Sequence, residues 1–286
     1  MMYTDFRMNI ALIHDPDNNH GYTWEKLLRQ AGHQVIVVEE DDSLGHIKSV
    51  DICLPLVSIR DFQAENIRYK AAVKLERAGV PMVNSTSGIA ISSDKWQTYE
   101  KWKLAGLLQP KTFLLQSLTQ LPDDITKPFI SKPRFGHSGK FVRLVNSVSA
   151  SRELAKCCES PMLIQEYVEQ PKSIRAIASN HEVLACYERM LPGSIAANVA
   201  LGATRHYFEP SEEMKKLATT MVSSLGGNLM GVDILEKDGE LYALEANVPF
   251  GFDPHNKKLQ QKLIEFISSY FHQTINESSL ELQNNN

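Results

Sequence analysis

The 286-residue sequence has no apolar run near the ~20 residues needed to span a bilayer. Its first eight residues, MMYTDFRM, lack the apolar stretch of a secretion signal. A soluble, cytoplasmic protein with no membrane partner is expected, with Met1 and Met8 both compatible as starts. Cysteine is scarce. The four residues Cys53, Cys157, Cys158 and Cys186 form no CxxC pair and no metal-ligand spacing, which excludes a disulfide scaffold and leaves reduced, inert thiols. Positive charge is not in excess either: 30 Lys plus Arg face 34 Asp plus Glu, a net charge of −4. No nucleic-acid partner is expected, and a small, mobile substrate is.

Missing motifs narrow the chemistry further. No Gly-x-Gly-x-x-Gly turn follows the first strand, no Gly-x-x-x-x-Gly-Lys-Ser/Thr loop and no Gly-x-Ser-x-Gly elbow occur, and no His-x-x-x-His cluster is formed. A dinucleotide site at the first turn, a P-loop NTPase, a hydrolase of the elbow type and a histidine metal site are set aside. His14 is the histidine worth keeping, because ligands of open α/β sheets bind beyond the carboxyl ends of strands.

The pattern that is present starts as β-loop-α, with an apolar run at 9–14 and a helical period from Thr23 to Ala31 closed by Gly32. Strands at 34–38 and 51–56, a helix from about Phe62 to Ala78 and Val80–Val83 follow, which argues for a parallel, Rossmann-like sheet. A boundary is expected near residue 92, where Ser92 or Ser93 can cap a helix running through Asp94 to Ala105. Beyond it come mostly antiparallel strands, at 112–115, 129–132, 141–145, 163–167, 174–178 and 183–187, with a helix near 150–157. Ser211 caps a further helix, and strands at 230–236 and 241–247 lead to a helix from about Lys257 to Phe271 and a polar, frayed tail at 276–286.

Three segments carry candidate chemistry. In Gly231–Asn247, Val232, Ile234, Leu244 and Ala246 are apolar, while Asp233, Glu245 and Asn247 hold alternate positions. A two-residue Asp238-Gly239 turn would send Asp233 and Glu245 to opposite faces. A three-residue loop with Gly239 left-handed pairs Glu236 with Glu240 and keeps them together. The bulged loop is predicted, since two carboxylates and a carboxamide on one face make a hard-oxygen site for Mg²⁺ bridged to phosphates. Alone, the hairpin is equally an ordinary solvated face. In Lys127–Val142, Lys132 ends a strand before a glycine loop whose backbone N–H groups at Gly136, Ser138 and Gly139 can cradle phosphate. Alone, this reads first as a hairpin turn with an exposed lysine. Leu163–Glu169 is an apolar strand running into an acidic, aromatic edge that can meet an adenine and a ribose.

Together these segments resemble the ATP-grasp fold, and most closely the RimK-like branch of carboxylate–amine ligases, over residues 84–271. The carriers are Asn84 with Ser93-Asp94-Lys95, Lys132 before the glycine loop, Gln165-Glu166-Tyr167-Val168, and Gly231–Leu235 with Leu244–Asn247. The resemblance implies an α/β plus α+β architecture, an ATP-grasp fold preceded by a Rossmann-like domain: residues 1–91, then subdomains at 92–165 and 166–275. It implies ATP with Lys95 and Lys132 on its phosphates, Glu166, Tyr167 and Val168 as the adenine hinge, and Asp233, Glu245 and Asn247 on Mg²⁺ or Mn²⁺. The implied reaction phosphorylates the carboxylate of an amino acid or peptide to an acyl phosphate, which an amine attacks, releasing ADP and phosphate.

The chain departs from that pattern at several places. Ser173 stands where the branch carries aspartate before Ile174-Arg175, and Ile195-Ala196-Ala197 replaces an arginine expected shortly before Asn198. Arg189 is the preferred catalytic substitute, with Lys132. Arg175, Asn198 and Arg205 are candidates for substrate or phosphate. Phe141 stands where a third loop glycine is common, and Val248–Phe252 rearranges the Pro-Gly ending. An ATP-binding module without ligase activity and a small-molecule kinase are the alternative readings, and a homodimer is the general expectation for a soluble oligomer.

Overall fold

A computed structural model describes residues 7–14, 19–38, 49–59, 67–123, 125–136, 139–190 and 204–284. Contacts divide the chain into two units, one from residues within 1–58, 66–86 and 248–286, the other from 59–65 and 87–247. The border therefore falls a few residues before the position expected near 92, and the last helix is grouped with the N-terminal residues rather than with the segment preceding it.

In the first unit, β1 (Asn9–His14), β2 (Gln34–Val37) and β3 (Ile52–Leu56) form a parallel sheet in the order β2-β1-β3. The central strand is buried on both faces, as parallel sheets covered by helices require, and Ile10, Ala11, Leu12 and Ile13 are fully buried. Helix α1 (Asn19–Gln30) turns Trp24, Leu27 and Leu28 inward, and the chain leaves it through Gly32 at φ 91°, where a side chain would be strained. Trp24 packs edge-on against Phe250 and Phe252. Helix α2 (Ile67–Arg77) starts at the first described residue of its stretch. The final helix, α7 (Lys257–Asn284), continues well past Phe271, so the tail expected to fray carries helical backbone to Asn284.

The second unit contains two antiparallel sheets. β4 (Thr112–Leu114), β5 (Phe129–Pro133), β6 (Arg143–Val145) and β7 (Met162–Glu166) pair in the order β4-β7-β5-β6. β8 (Lys172–Ser179), β9 (Val183–Met190), β10 (Thr204–Tyr207), β11 (Leu229–Lys237) and β12 (Glu240–Asn247) pair in the order β10-β9-β8-β11-β12. β10 carries no apolar pattern of its own, which is why the sequence did not announce it.

Helix α5 (Val148–Lys156) is capped by Ser147 and α6 (Glu212–Ser223) by Ser211, whose Oγ accepts from the Met214 amide. The helix expected from a Ser92 or Ser93 cap to Ala105 is present, capped instead by Asp94 and preceded by a helix that was not expected. α3 (Thr86–Ser93) ends, Asp94 takes extended backbone angles, and α4 (Lys95–Leu104) begins with Asp94 as its cap, accepting from the amides of Trp96 and Gln97. Trp102 of α4 is buried and donates its indole N–H to the Met221 carbonyl of α6 at 3.0 Å, which ties α4 to the helix lying on β8, β11 and β12.

Candidate active site

The β11–β12 hairpin closes with a two-residue Asp238-Gly239 turn that pairs Lys237 with Glu240, and both turn residues have positive φ, 53° and 86°. This is the turn whose twist matches that of the strands, and it corrects the three-residue loop predicted from the sequence. Continued without interruption, it would separate Asp233 from Glu245. It does not, because the register shifts between Asp233 and Ile234: Ile234 faces Ala243, while Asp233 faces Glu245. Leu244 is the extra residue of a bulge within β12. The bulge thus lies in the strand instead of at the turn, and the two carboxylates share a face.

That face is continued by the neighbouring strands. Arg175 of β8 lies between Asp233 and Tyr187, and Arg189 of β9 lies between Ser173 and Arg205. Cross-strand partners share a face, so three arginines, two carboxylates, Asn247, Ser173 and Tyr187 occupy one side of the sheet. Arg175 forms a two-toothed pair with Asp233, from Nε to Oδ1 and from Nη2 to Oδ2 at 2.9 Å. Arg189 reaches the same carboxylate at 3.2 Å and donates to Ser173 Oγ at 2.9 Å. Burial by itself would raise the Asp233 carboxyl, but the two guanidinium groups more than offset it and hold it below the usual range. The amide nitrogen of Asn247 lies 3.5 Å from Asp233 Oδ2.

Lys132 and Lys95 come from the other elements of the unit. Lys132 is buried on β5, with Nζ 2.9 Å from Gln165 Oε1 on β7; Gln165 in turn donates to Thr112 Oγ1. Desolvation pushes its pKa down to about 8, opposed by Glu245 and assisted by Lys95. This corrects the picture of an exposed hairpin lysine. Lys95, at the start of α4, lies 3.5 Å from Glu245 and donates to the Gly136 carbonyl at 2.6 Å. Gly136 therefore turns its carbonyl to a lysine here. Ser138 and Asn198 lie outside the described residues. Gly139 has φ 70° and Phe141 φ 60°, so the phenylalanine takes a backbone conformation that favours glycine.

Two partnerships were not anticipated. Arg134 forms a two-toothed ion pair with Asp94, at 2.8 and 2.6 Å, while its carbonyl accepts from the Lys95 amide at 3.1 Å. One buried carboxylate thereby caps α4 and clamps the chain leaving β5. The Asp-x-x-Gln spacing of Asp94 and Gln97 is a capping signal that could have revealed half of this. The second is Gln165 as the neutral partner of Lys132, for which the sequence has no signal. At the other edge, Glu166 ends β7 with its carboxylate accepting from the Lys111 amide, next to the half-buried Tyr167 and Val168.

The donor set of Asp233, Glu245 and Asn247 consists of hard oxygens on adjacent strands, which fits Mg²⁺. Of the two carboxylates, Glu245 is the one that no arginine binds among the described residues, and its side chain is 29% exposed. A family model for the RimK-like ATP-grasp domain matches residues 92–268. The chain belongs to the RimK-like ATP-grasp family. A glutamate–LysW ligase of Sulfurisphaera tokodaii is 31% identical over 230 residues, covering 74% of this chain and 81% of that protein. A coenzyme γ-F420-2:α-L-glutamate ligase of Methanococcus maripaludis is 30% identical over 188 residues, covering 62% and 66%. Among solved structures, the D-alanine–D-alanine ligase of Bacillus anthracis complexed with ATP superposes with a TM-score of 0.67 at 17% identity, over 97% of this chain and 99% of that one, a likeness of fold. As a RimK-like ATP-grasp protein, the chain is an ATP-dependent carboxylate–amine ligase.

Proposed function

We propose that this ligase joins a carboxylate, carried by a small molecule or peptide, to the amine of an acidic amino acid, glutamate by preference. The observation that carries the reading is the single sheet face on which Arg175, Arg189 and Arg205 accompany Asp233, Glu245 and Asn247, with Lys95 and Lys132 beside Glu245. Five cations against two carboxylates suit a reaction whose participants are all anions. The glutamate ligases among its relatives support the choice of amine.

In this reading Lys95 and Lys132 bind the nucleotide phosphates, with the backbone of Gly136, Ser138 and Gly139 closing over them. Glu166, Tyr167 and Val168 receive the base and ribose, and Ser173 borders the nucleotide. Asp233, Glu245 and Asn247 would hold Mg²⁺, which when bound would supply charge neutralisation to the phosphates. Arg189, kept in place by Asp233 and Ser173, neutralises the acyl phosphate in place of the arginine missing before Asn198. Arg175 fixes Asp233, while Asn198 and Arg205 contact substrate. The parallel β2-β1-β3 sheet with its helices supports a Rossmann-like unit ahead of the grasp.

The test is incubation with Mg–ATP, glutamate and a panel of carboxylates, following ADP release and the mass of the product. Glutamate-dependent ADP with an amide product is expected. ADP formed with a stable phosphorylated product, or ADP release indifferent to every amine offered, would sink the reading.

A further inference from the structure

Arg205 is set apart from the other two arginines of the sheet face. Arg175 donates to Asp233 and Arg189 to Asp233 and Ser173, although the Arg189 Nε is itself buried without a partner among the described residues. Arg205 has its Nε buried without a hydrogen-bond partner among the described residues. Its guanidinium lies 5.7 Å from the centre of the Tyr187 ring, which packs against Tyr207 at 5.2 Å. Stacking uses the flat face of a guanidinium and leaves its edge, with the paired N–H donors, open to a carboxylate.

Arg205 also sits directly across from Arg189 on the neighbouring strand. Like charges in that position repel, and an anion between or beside them removes the penalty. In the reading above Arg189 answers the acyl phosphate on the side from which it reaches Asp233, and Arg205 stands one strand farther out. β10 is three strands from β11, about 14 Å at ~4.8 Å per strand, and Arg205 is one row displaced from Asp233. What fits is a carboxylate at the far end of a substrate whose other end reacts near Asp233 and Glu245.

We infer that Arg205, oriented by Tyr187, receives the side-chain carboxylate of the acidic amine substrate and so sets the preference for a dicarboxylic over a neutral amino acid. This rests on the glutamate reading above. Two measurements keep their failures apart. In steady-state assays, Arg205→Gln is expected to raise KM for glutamate about 10- to 100-fold, the loss of one charge-assisted contact pair, without moving KM for ATP. The advantage of glutamate over glutamine as amine should shrink by the same factor. Arg205→Lys, which keeps the charge but not the fork, should fall between, and it carries the test if the glutamine variant is not folded.

The second measurement is calorimetric binding of glutarate, an unreactive dicarboxylate, to protein saturated with Mg²⁺ and a slowly hydrolysed ATP analogue. Wild type should bind it, and Arg205→Gln should lose that binding while retaining the nucleotide. Wild type that binds glutarate but does not turn over glutamate would overturn the glutamate reading and leave the role of Arg205 standing. Equal glutarate binding by both proteins, no binding by wild type, or a loss confined to kcat would overturn the role of Arg205.

Discussion

On the five-stranded sheet, Arg175 and Arg189 are held by Asp233 in charge-assisted pairs, whereas on the four-stranded sheet Lys132 rests against a neutral amide and is desolvated. The first arrangement gives rigid cations of constant charge, aimed before any substrate arrives. The second gives a cation whose charge is costly until an anion joins it. The contrast extends to the backbone. The sheet carries two register shifts, one between Ile177 and Ala178 and one at Leu244 that aligns Glu245 with Asp233, while the loop after β5 carries Phe141 at positive φ.

The largest effect should come from breaking that alignment. Glu245→Gln is expected to lower kcat by roughly 1,000-fold, the scale of lost metal assistance, with little change in the unfolding midpoint, because Glu245 is not a core residue. Deleting Leu244 should cost far less, since without the extra residue the ladder runs regularly and Asp233 still faces Glu245. Activity retained in the Glu245→Gln variant would show that Glu245 is not a metal ligand.

Stability should separate the two kinds of cation. Asp233→Asn leaves two buried guanidinium groups without their counter-charge and is expected to cost about 3–5 kcal/mol in denaturant unfolding. Lys132→Met removes a desolvated charge and should leave stability unchanged or raised. It should nevertheless weaken binding of an ATP analogue by about 10- to 100-fold. A destabilised Lys132→Met protein would erase the distinction.

The same difference predicts a pH effect confined to the lysine. With a pKa near 8 in the free protein, the Lys132 ammonium is present below that pH and is lost as pH rises through it. Bound triphosphate raises the pKa, so binding should take up a proton just above pH 8 and weaken as pH rises further. Calorimetry in buffers of different ionisation enthalpy would detect this uptake, and Lys132→Arg should abolish it. For folding the sign is the reverse: the buried charge costs stability below about 8, and that cost disappears toward 10.5.

The smallest expected change is in the loop. Phe141→Gly relieves a left-handed phenylalanine, worth up to about 1 kcal/mol after the entropy of glycine is deducted. Urea unfolding would measure it, and a destabilised variant would show that the contact between Lys140 and the Phe141 ring outweighs the backbone strain.

Much of the site was legible as residue type. Strand periodicity places Lys132 before a glycine loop and sets Asp233, Glu245 and Asn247 at alternate positions without reference to anything distant, whereas their phosphate and metal roles come from the resemblance to the ATP-grasp fold. The caps at Ser147 and Ser211 were equally local, and Ser211 was read correctly. Asp94 was missed as a cap because two serines immediately before it compete for the role; the Asp-x-x-Gln spacing favours Asp94, and the bidentate contact with Arg134, 40 residues away, fixes it in place.

From its sequence alone, this chain determined most of its strands and helices and the chemical inventory of one sheet face, because those depend on neighbours within a turn or a strand. It also determined its family. The position of the bulge, the burial of Lys132 beside Gln165 and the placing of Arg189 between Ser173 and Arg205 were decided by tertiary structure. Each depends on the register of strands far apart in the chain, and register is set by the sum of contacts over a whole sheet rather than by any residue within it.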